Sequence, residues 1–214
     1  MLISHSKKFI FIHNYKVAGT SIHRTLLDYT NITLRRTNKL DQLLIRIGYY
    51  PKIFSSAFDG HIIARDLKNQ IPEKIFDTYF KFGFVRNPWD WQASLYSFML
   101  KEGTKHHQHH IIKNFKSFDE YIDWRVHEDL HFQHSFFYDE NGHCLMDFIG
   151  KLETLKSDFD FVCNKVGIQK EILHENKSRN DNDFLKYYTP KSIKMVEQAF
   201  QKDIQLFKYE VPVL

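Results

Sequence analysis

The stretch that most constrains this chain runs from Lys7 to Leu27, KKFIFIHNYKVAGTSIHRTLL. Phe9 to Ile12 form an unbroken apolar run, the mark of a buried strand, and Ala18, Gly19, Thr20 and Ser21 lead through a small-residue turn into the helix IHRTLL. Strand, tight turn and helix in that order build an anion pocket. The small side chains leave backbone N–H groups open to a ligand, the helix start adds partial positive charge, and Lys16, Thr20 and Ser21 supply further donors. A phosphate or sulfate ester is the expected occupant. Nucleoside-triphosphate loops need GxxxxGKS/T, whereas here Lys16 precedes Gly19 and no second glycine follows, so ATP is not the first expectation.

A second unit of the same kind comes later. In YFKFGFVRNP, Phe80, Phe82 and Phe84 alternate with Lys81, Gly83 and Val85, and the strand ends at Arg86. Asn87-Pro88 then opens WDWQASLYSFML, a helix that Gly103 would terminate, giving a second anion site. Between the two units, Leu40, Leu43, Leu44 and Ile47 take helical spacing with Gly48 as the stop, and a short helix is expected with Pro72 near its start. The tract His106 to His110 lacks the companion ligands that would fix a metal geometry, and a solvated loop without chemistry is expected. Ser117 and Glu120 form a capping box, LMDFIGKLETL reads as a strand, and DFDFVCNKVGI reads as a helix ending near Gly167. Thr189-Pro190 opens a covering helix with Ile193, Val196, Phe200, Ile204 and Phe207 on one face.

Length and composition fit one domain spanning residues 1–214, since single cores extend to roughly 250 residues. Thirty basic against 26 acidic residues give a net charge of +4. That excess suits a polyanionic cofactor or an acidic acceptor and falls short of the dense basic patch of a nucleic-acid binder. Two cysteines, Cys144 and Cys163, make no disulfide scaffold and are expected to be free core thiols. With no apolar leader and no run near 18 apolar residues, neither a signal peptide nor stable membrane insertion is expected, and a cytoplasmic enzyme is the default expectation.

FIHNYKVAGTSI, FGFVRNPWDWQASLY, IGKLETLKSDF and YYTPKSIKMVEQAFQKDIQLFKYE, taken in order from Phe9 to Glu210, resemble the sulfotransferase family, in particular its carbohydrate sulfotransferase branch. The resemblance implies an α/β fold of three layers, with a central, mostly parallel sheet flanked by helices and related to the P-loop nucleotide kinases. It implies 3′-phosphoadenosine 5′-phosphosulfate as sulfuryl donor, no metal, and a carbohydrate or other hydroxyl acceptor. Lys16 would sit beside the bridging oxygen of the phosphosulfate, with Ala18, Gly19, Thr20 and Ser21 around the 5′-phosphate. Arg86 and Ser94 match the 3′-phosphate ligands, and HENKSR resembles the late cofactor loop, bringing in Ser178 and Arg179 and, less directly, Lys177. Many relatives read NPxDR, but this chain carries Trp91 where that arginine would stand.

Sulfuryl transfer gathers negative charge on the departing phosphate oxygen, so a cation and fixed dipoles there stabilise the transition state. By the resemblance, Lys16 would fill that role. The acceptor alcohol also needs a base, and histidine suits neutral pH. His61, in GHIIARDL between the two cofactor motifs, is the expected general base, with His13 at the end of the first strand as its rival. The purely structural roles of these residues would be a turn lysine for Lys16, a strand-end ion pair for Arg86 and a hydrogen-bonded core imidazole for His61. Two other functions are compatible with an anion pocket: a phosphotransferase of the nucleotide-kinase type, and a module that binds 3′-phosphoadenosine 5′-phosphate without transferring anything. Trp89, Trp91 and Trp124 could stack on sugar rings, although core packing accounts for aromatics equally well.

Overall fold

The computed structural model describes residues 1–30, 60–101, 103, 106–172 and 183–214. Along these residues the elements are β1 (Leu2–Ser4), β2 (Phe9–Ile12), α1 (Gly19–Leu26), α2 (Ala64–Lys68), α3 (Glu73–Thr78), β3 (Phe80–Val85) and α4 (Pro88–Leu100). Then come α5 (His109–Ile112), α6 (Phe118–His127), β4 (Phe148–Lys151), α7 (Leu155–Val166), α8 (Pro190–Ala199) and α9 (Gln201–Leu206). They divide into two compact units, Met1–Val85 with Ser135–Glu175 and Arg86–His134 with Asn176–Leu214. The helix expected around Leu40 to Ile47 lies outside the described residues, as do Lys177, Ser178 and Arg179.

The first unit carries a four-stranded sheet in the order β1-β2-β3-β4. β2, β3 and β4 are parallel neighbours, and β1 is antiparallel to β2, so the sheet is mixed and the architecture α/β. β1 has no signal of its own; Leu2, Ile3 and Ser4 become a strand by pairing with Phe11, Ile10 and Phe9. Every residue of β2 is fully buried, as a parallel strand covered on both faces requires. Phe82 of β3 is the hub of this core, its ring 5.8 Å from Phe9 and 5.3 Å from Phe11. At Gly83, opposite Ile12, an added Cβ would stand 2.3 Å from the Phe137 ring, so the glycine is what lets that ring lie on the sheet. The C-terminal ends of β2 and β3 lie side by side, the edge at which open α/β sheets form their ligand crevices.

In the second unit α4 is apolar on most of its circumference, with Trp89, Trp91, Ala93, Leu95 and Met99 buried. Trp89 donates its indole N–H to the Ile193 carbonyl at 3.1 Å, and Trp91 meets Phe200 edge-on at 6.2 Å. Both tryptophans are core residues and offer no stacking surface, which also explains Trp91 in place of a cation. The helix stops at Leu100, before Gly103, because Lys101 already takes an extended conformation.

Three further expectations are corrected. His109 and His110 belong to a helical turn, and His109 Nδ1 bonds the Met99 carbonyl at 2.6 Å, so the histidine tract is partly structural. Cys163 is buried but Cys144 is exposed; both are free. Apolar surroundings push the Cys163 thiol up to about 11. The C-terminal helix is two helices, α8 and α9, meeting at Phe200. Its buried stripe is Ile193, Val196, Phe200, Asp203 and Phe207, and a carboxylate takes the inward position expected for Ile204. Two anchors account for the bend: Phe200 packs on Trp91 and Phe132, and Asp203 is drawn to the backbone of Gln133 and His134.

Candidate functional site

In the first unit the chain leaves β2 and turns through residues 13 to 18 into α1. Lys16 and Ala18 both adopt positive φ, 62° and 57°, although neither is glycine. Each such residue costs on the order of 1 kcal/mol, and strain of this kind persists where the surroundings impose it. Left-handed residues alternating with right-handed ones turn successive N–H groups toward one side and make an anion-binding nest. Ala18 caps α1 without any side-chain hydrogen bond, and the first intrahelical bond runs from Ile22 N–H to the Ala18 carbonyl at 3.0 Å. The amides of Gly19, Thr20 and Ser21 therefore precede the helical ladder, where an anion can take them. Ser21 is buried at the helix base, Thr20 is exposed, and Lys16 is half-buried.

Gly19 has a second reason to be glycine. An added Cβ would fall 1.6 Å from His13 Nε2, so the His13 ring lies directly on the helix start. Asn14, fully buried, donates from Nδ2 to the Phe84 carbonyl of the neighbouring strand at 3.4 Å and fixes the loop's first residues. His61 reaches the same place: its Nδ1 lies 3.0 Å from the His13 carbonyl, and the two imidazole centroids are 4.6 Å apart. A carbonyl only accepts, so Nδ1 carries the proton and the basic lone pair of the neutral ring sits on Nε2. Tyr15 closes on His61 edge-to-face at 6.2 Å. Lys16, Gly19, Thr20, Ser21, His13 and His61 are thus gathered in one unit.

The surroundings of His13 suppress its charge. Burial, then the N-terminal ammonium and the neighbouring His61 and His23, push the His13 imidazole down to about 3. A value below the ordinary 6.5 means that, from about pH 6.5 down to about pH 3, the unfolded chain takes up a proton that the folded chain refuses. Stability accordingly falls as the pH falls through that window. For a half-buried ring the effect is expected to be about 1–2 kcal/mol, well under the full conversion of the shift. Thermal melts at about pH 7 and about pH 4 test it: His13→Gln should lose less stability between them than the parent does, and an equal loss would refute the assignment.

In the second unit Arg86 follows β3 and precedes the Asn87 cap of α4. The side chain of Asn87 accepts from Trp89 N at 3.0 Å and Asp90 N at 3.3 Å. Here the helix's own cap takes the first-turn amides, so an anion at this end must be held by side chains. Arg86, only 6% exposed, points Nε to Asp90 Oδ2 at 2.7 Å, which fixes the plane of its guanidinium. Ser94, half-buried, lies farther along α4. Asp90 stands at the aspartate of the NPxDR pattern; Gln133 and Asp203, whose bonds lead to the Arg86 main chain, have no local sequence signal beyond a carboxylate at inward spacing on an apolar stripe.

A family model described as the sulfotransferase family matches residues 1–210. The chain belongs to the sulfotransferase family. Membership points to sulfuryl transfer onto a hydroxyl-bearing acceptor, and the family generally uses 3′-phosphoadenosine 5′-phosphosulfate. The chain is also similar to an uncharacterized protein of Archaeoglobus fulgidus, 31% identical over 120 residues that cover 54% of this sulfotransferase-family chain and 92% of the relative. No described helix is long and apolar enough to cross a membrane. Among the described residues no group of three or more potential metal ligands is found.

Proposed function

We propose that this protein transfers a sulfuryl group from 3′-phosphoadenosine 5′-phosphosulfate to a carbohydrate hydroxyl by in-line displacement, with His61 as general base. The observation that supports the reading is the loop from Lys16 to Ser21, where two left-handed residues, Lys16 and Ala18, lead into a helix start with no side-chain cap. The donor supplies a sulfuryl group already activated by its bond to phosphate. Lys16 and the amides of Ala18, Gly19, Thr20 and Ser21 neutralise the charge that gathers on the leaving oxygen. Arg86 forks two oxygens of the 3′-phosphate and Ser94 gives a third contact. The resemblance of HENKSR to the late cofactor loop assigns Ser178 and Arg179 to the same end of the donor.

His61 takes the acceptor proton on Nε2, held by its Nδ1–H bond to the His13 carbonyl. His13 is a poor rival, because a base held down to about 3 has little drive to accept a proton at neutral pH. It serves as the ring that seats Gly19 and as the carbonyl that orients His61. The carbohydrate acceptor is supported by the motif resemblance to the carbohydrate branch.

Calorimetric titration tests the donor. Tight binding of 3′-phosphoadenosine 5′-phosphate with no binding of ATP and magnesium is expected; the reverse would sink the reading and favour a nucleotide-kinase-like phosphotransferase. Radiolabelled donor offered with a panel of glycans tests the acceptor, and binding without transfer to any hydroxyl would leave a non-catalytic binding module.

A further inference from the structure

Arg86 is almost wholly buried, so it can show a ligand few atoms, and a displacement of about 1 Å in such a group costs on the order of a hundredfold. What fixes its main chain is a side chain. The carboxamide of Gln133 accepts from Arg86 N–H at 2.9 Å and donates from Nε2 to the Arg86 carbonyl at 2.7 Å, pairing with the residue after β3 as a neighbouring strand would. Gln133 is itself fixed. Its N–H donates to Asp203 Oδ2 at 2.8 Å, while His134 N–H and Nδ1–H donate to Asp203 Oδ1 at 2.9 and 2.6 Å.

Asp203 is 0% exposed. Burying a carboxylate is costly unless donors surround it, and an apolar residue at this inward position would simply have continued the stripe of α8 and α9. The chain instead spends that position on gripping residues 133 and 134. The same carboxylate that anchors the bend between α8 and α9 thereby orders the residue that holds the Arg86 main chain.

We propose that Gln133, clamped by Asp203, is a positioning residue that sets Arg86 for recognition of a 3′-phosphate. The inference rests on the donor assignment above. Gln133 touches no ligand; it acts through Arg86.

The test is the ratio of dissociation constants for adenosine 5′-phosphate and 3′-phosphoadenosine 5′-phosphate, measured by calorimetry on the full chain. The parent should favour the 3′-phosphorylated nucleotide by about a hundredfold or more. Gln133→Met and Asp203→Asn should each cut that preference by about tenfold, leaving adenosine 5′-phosphate affinity within about twofold. Adding Gln133→Met to Arg86→Ala should change nothing further, since both act on one contact. A merely structural glutamine would lower the melting temperature and leave the ratio alone, and that result in a folded variant overturns the proposal. Gln133→Asn, which keeps the amide one methylene short, carries the same comparison if the methionine variant does not fold. A parent without any preference would overturn the donor assignment and this inference together; a preference that survives both variants overturns this inference alone.

Discussion

If Lys16 steadies the leaving oxygen as proposed, Lys16→Ala should lower kcat/KM by about 10²–10³-fold, the loss expected when one preorganised charge is withdrawn from a developing oxyanion. Most of the effect should fall on kcat, because the charge that Lys16 meets is larger in the transition state than in the bound donor. The backbone provides an internal control. Lys16 sits at φ 62°, a conformation that alanine tolerates no better than lysine and that glycine adopts freely. Lys16→Gly should therefore melt higher than Lys16→Ala, by an amount equivalent to about 1 kcal/mol, while being equally slow. Steady-state kinetics with paired thermal melts check both statements. If the glycine variant recovered activity, loop strain and not the ammonium would be the important variable.

His61→Asn should reduce kcat by about 10²–10⁴-fold with little change in the affinity for 3′-phosphoadenosine 5′-phosphate. Asparagine is the informative substitution because its amide N–H can stand where Nδ1–H stands and keep the bond to the His13 carbonyl. The anion loop is then preserved and only the proton acceptor is gone. Turnover near the parental rate in this variant would show that another group takes the proton. A collapse of nucleotide affinity would show instead that His61 holds the loop together and contributes no base.

The sequence made the two strand-turn-helix units readable because each announces itself locally. An apolar run, small residues and a helical period lie next to one another at Phe9 to Leu26, and an Asn-Pro cap follows a Phe-rich strand at Phe80 to Pro88. Capping chemistry was legible for the same reason: Ser117 accepts from Glu120 N as expected, though Glu120 reaches back to Lys116 N and not to Ser117 N. What stayed hidden depends on partners far along the chain. Three residues of β1 gain strand character only against β2, and the difference between an open α1 start and a closed α4 start rests on backbone angles and on one asparagine side chain. The hold on Arg86 was least visible of all, since Gln133 and Asp203 lie 47 residues away and a further 70 residues beyond. Even so, the 3-4-3-4 spacing of Ile193, Val196, Phe200, Asp203 and Phe207 was written in the sequence, and a charge on that stripe was the clue.

That long-range grip has a consequence for synthesis. A ribosome reaches Asp203 more than half the chain after Arg86, and at about 5–20 residues per second that gap lasts on the order of ten seconds. During that interval the nascent arginine has its local carboxylate, Asp90, but lacks the clamp that orders Gln133. On the proposed reading, the 3′-phosphate contact of Arg86 is completed only once α9 has been made. A chain cut short within α9 would make every residue of the anion loop and still present a misplaced arginine.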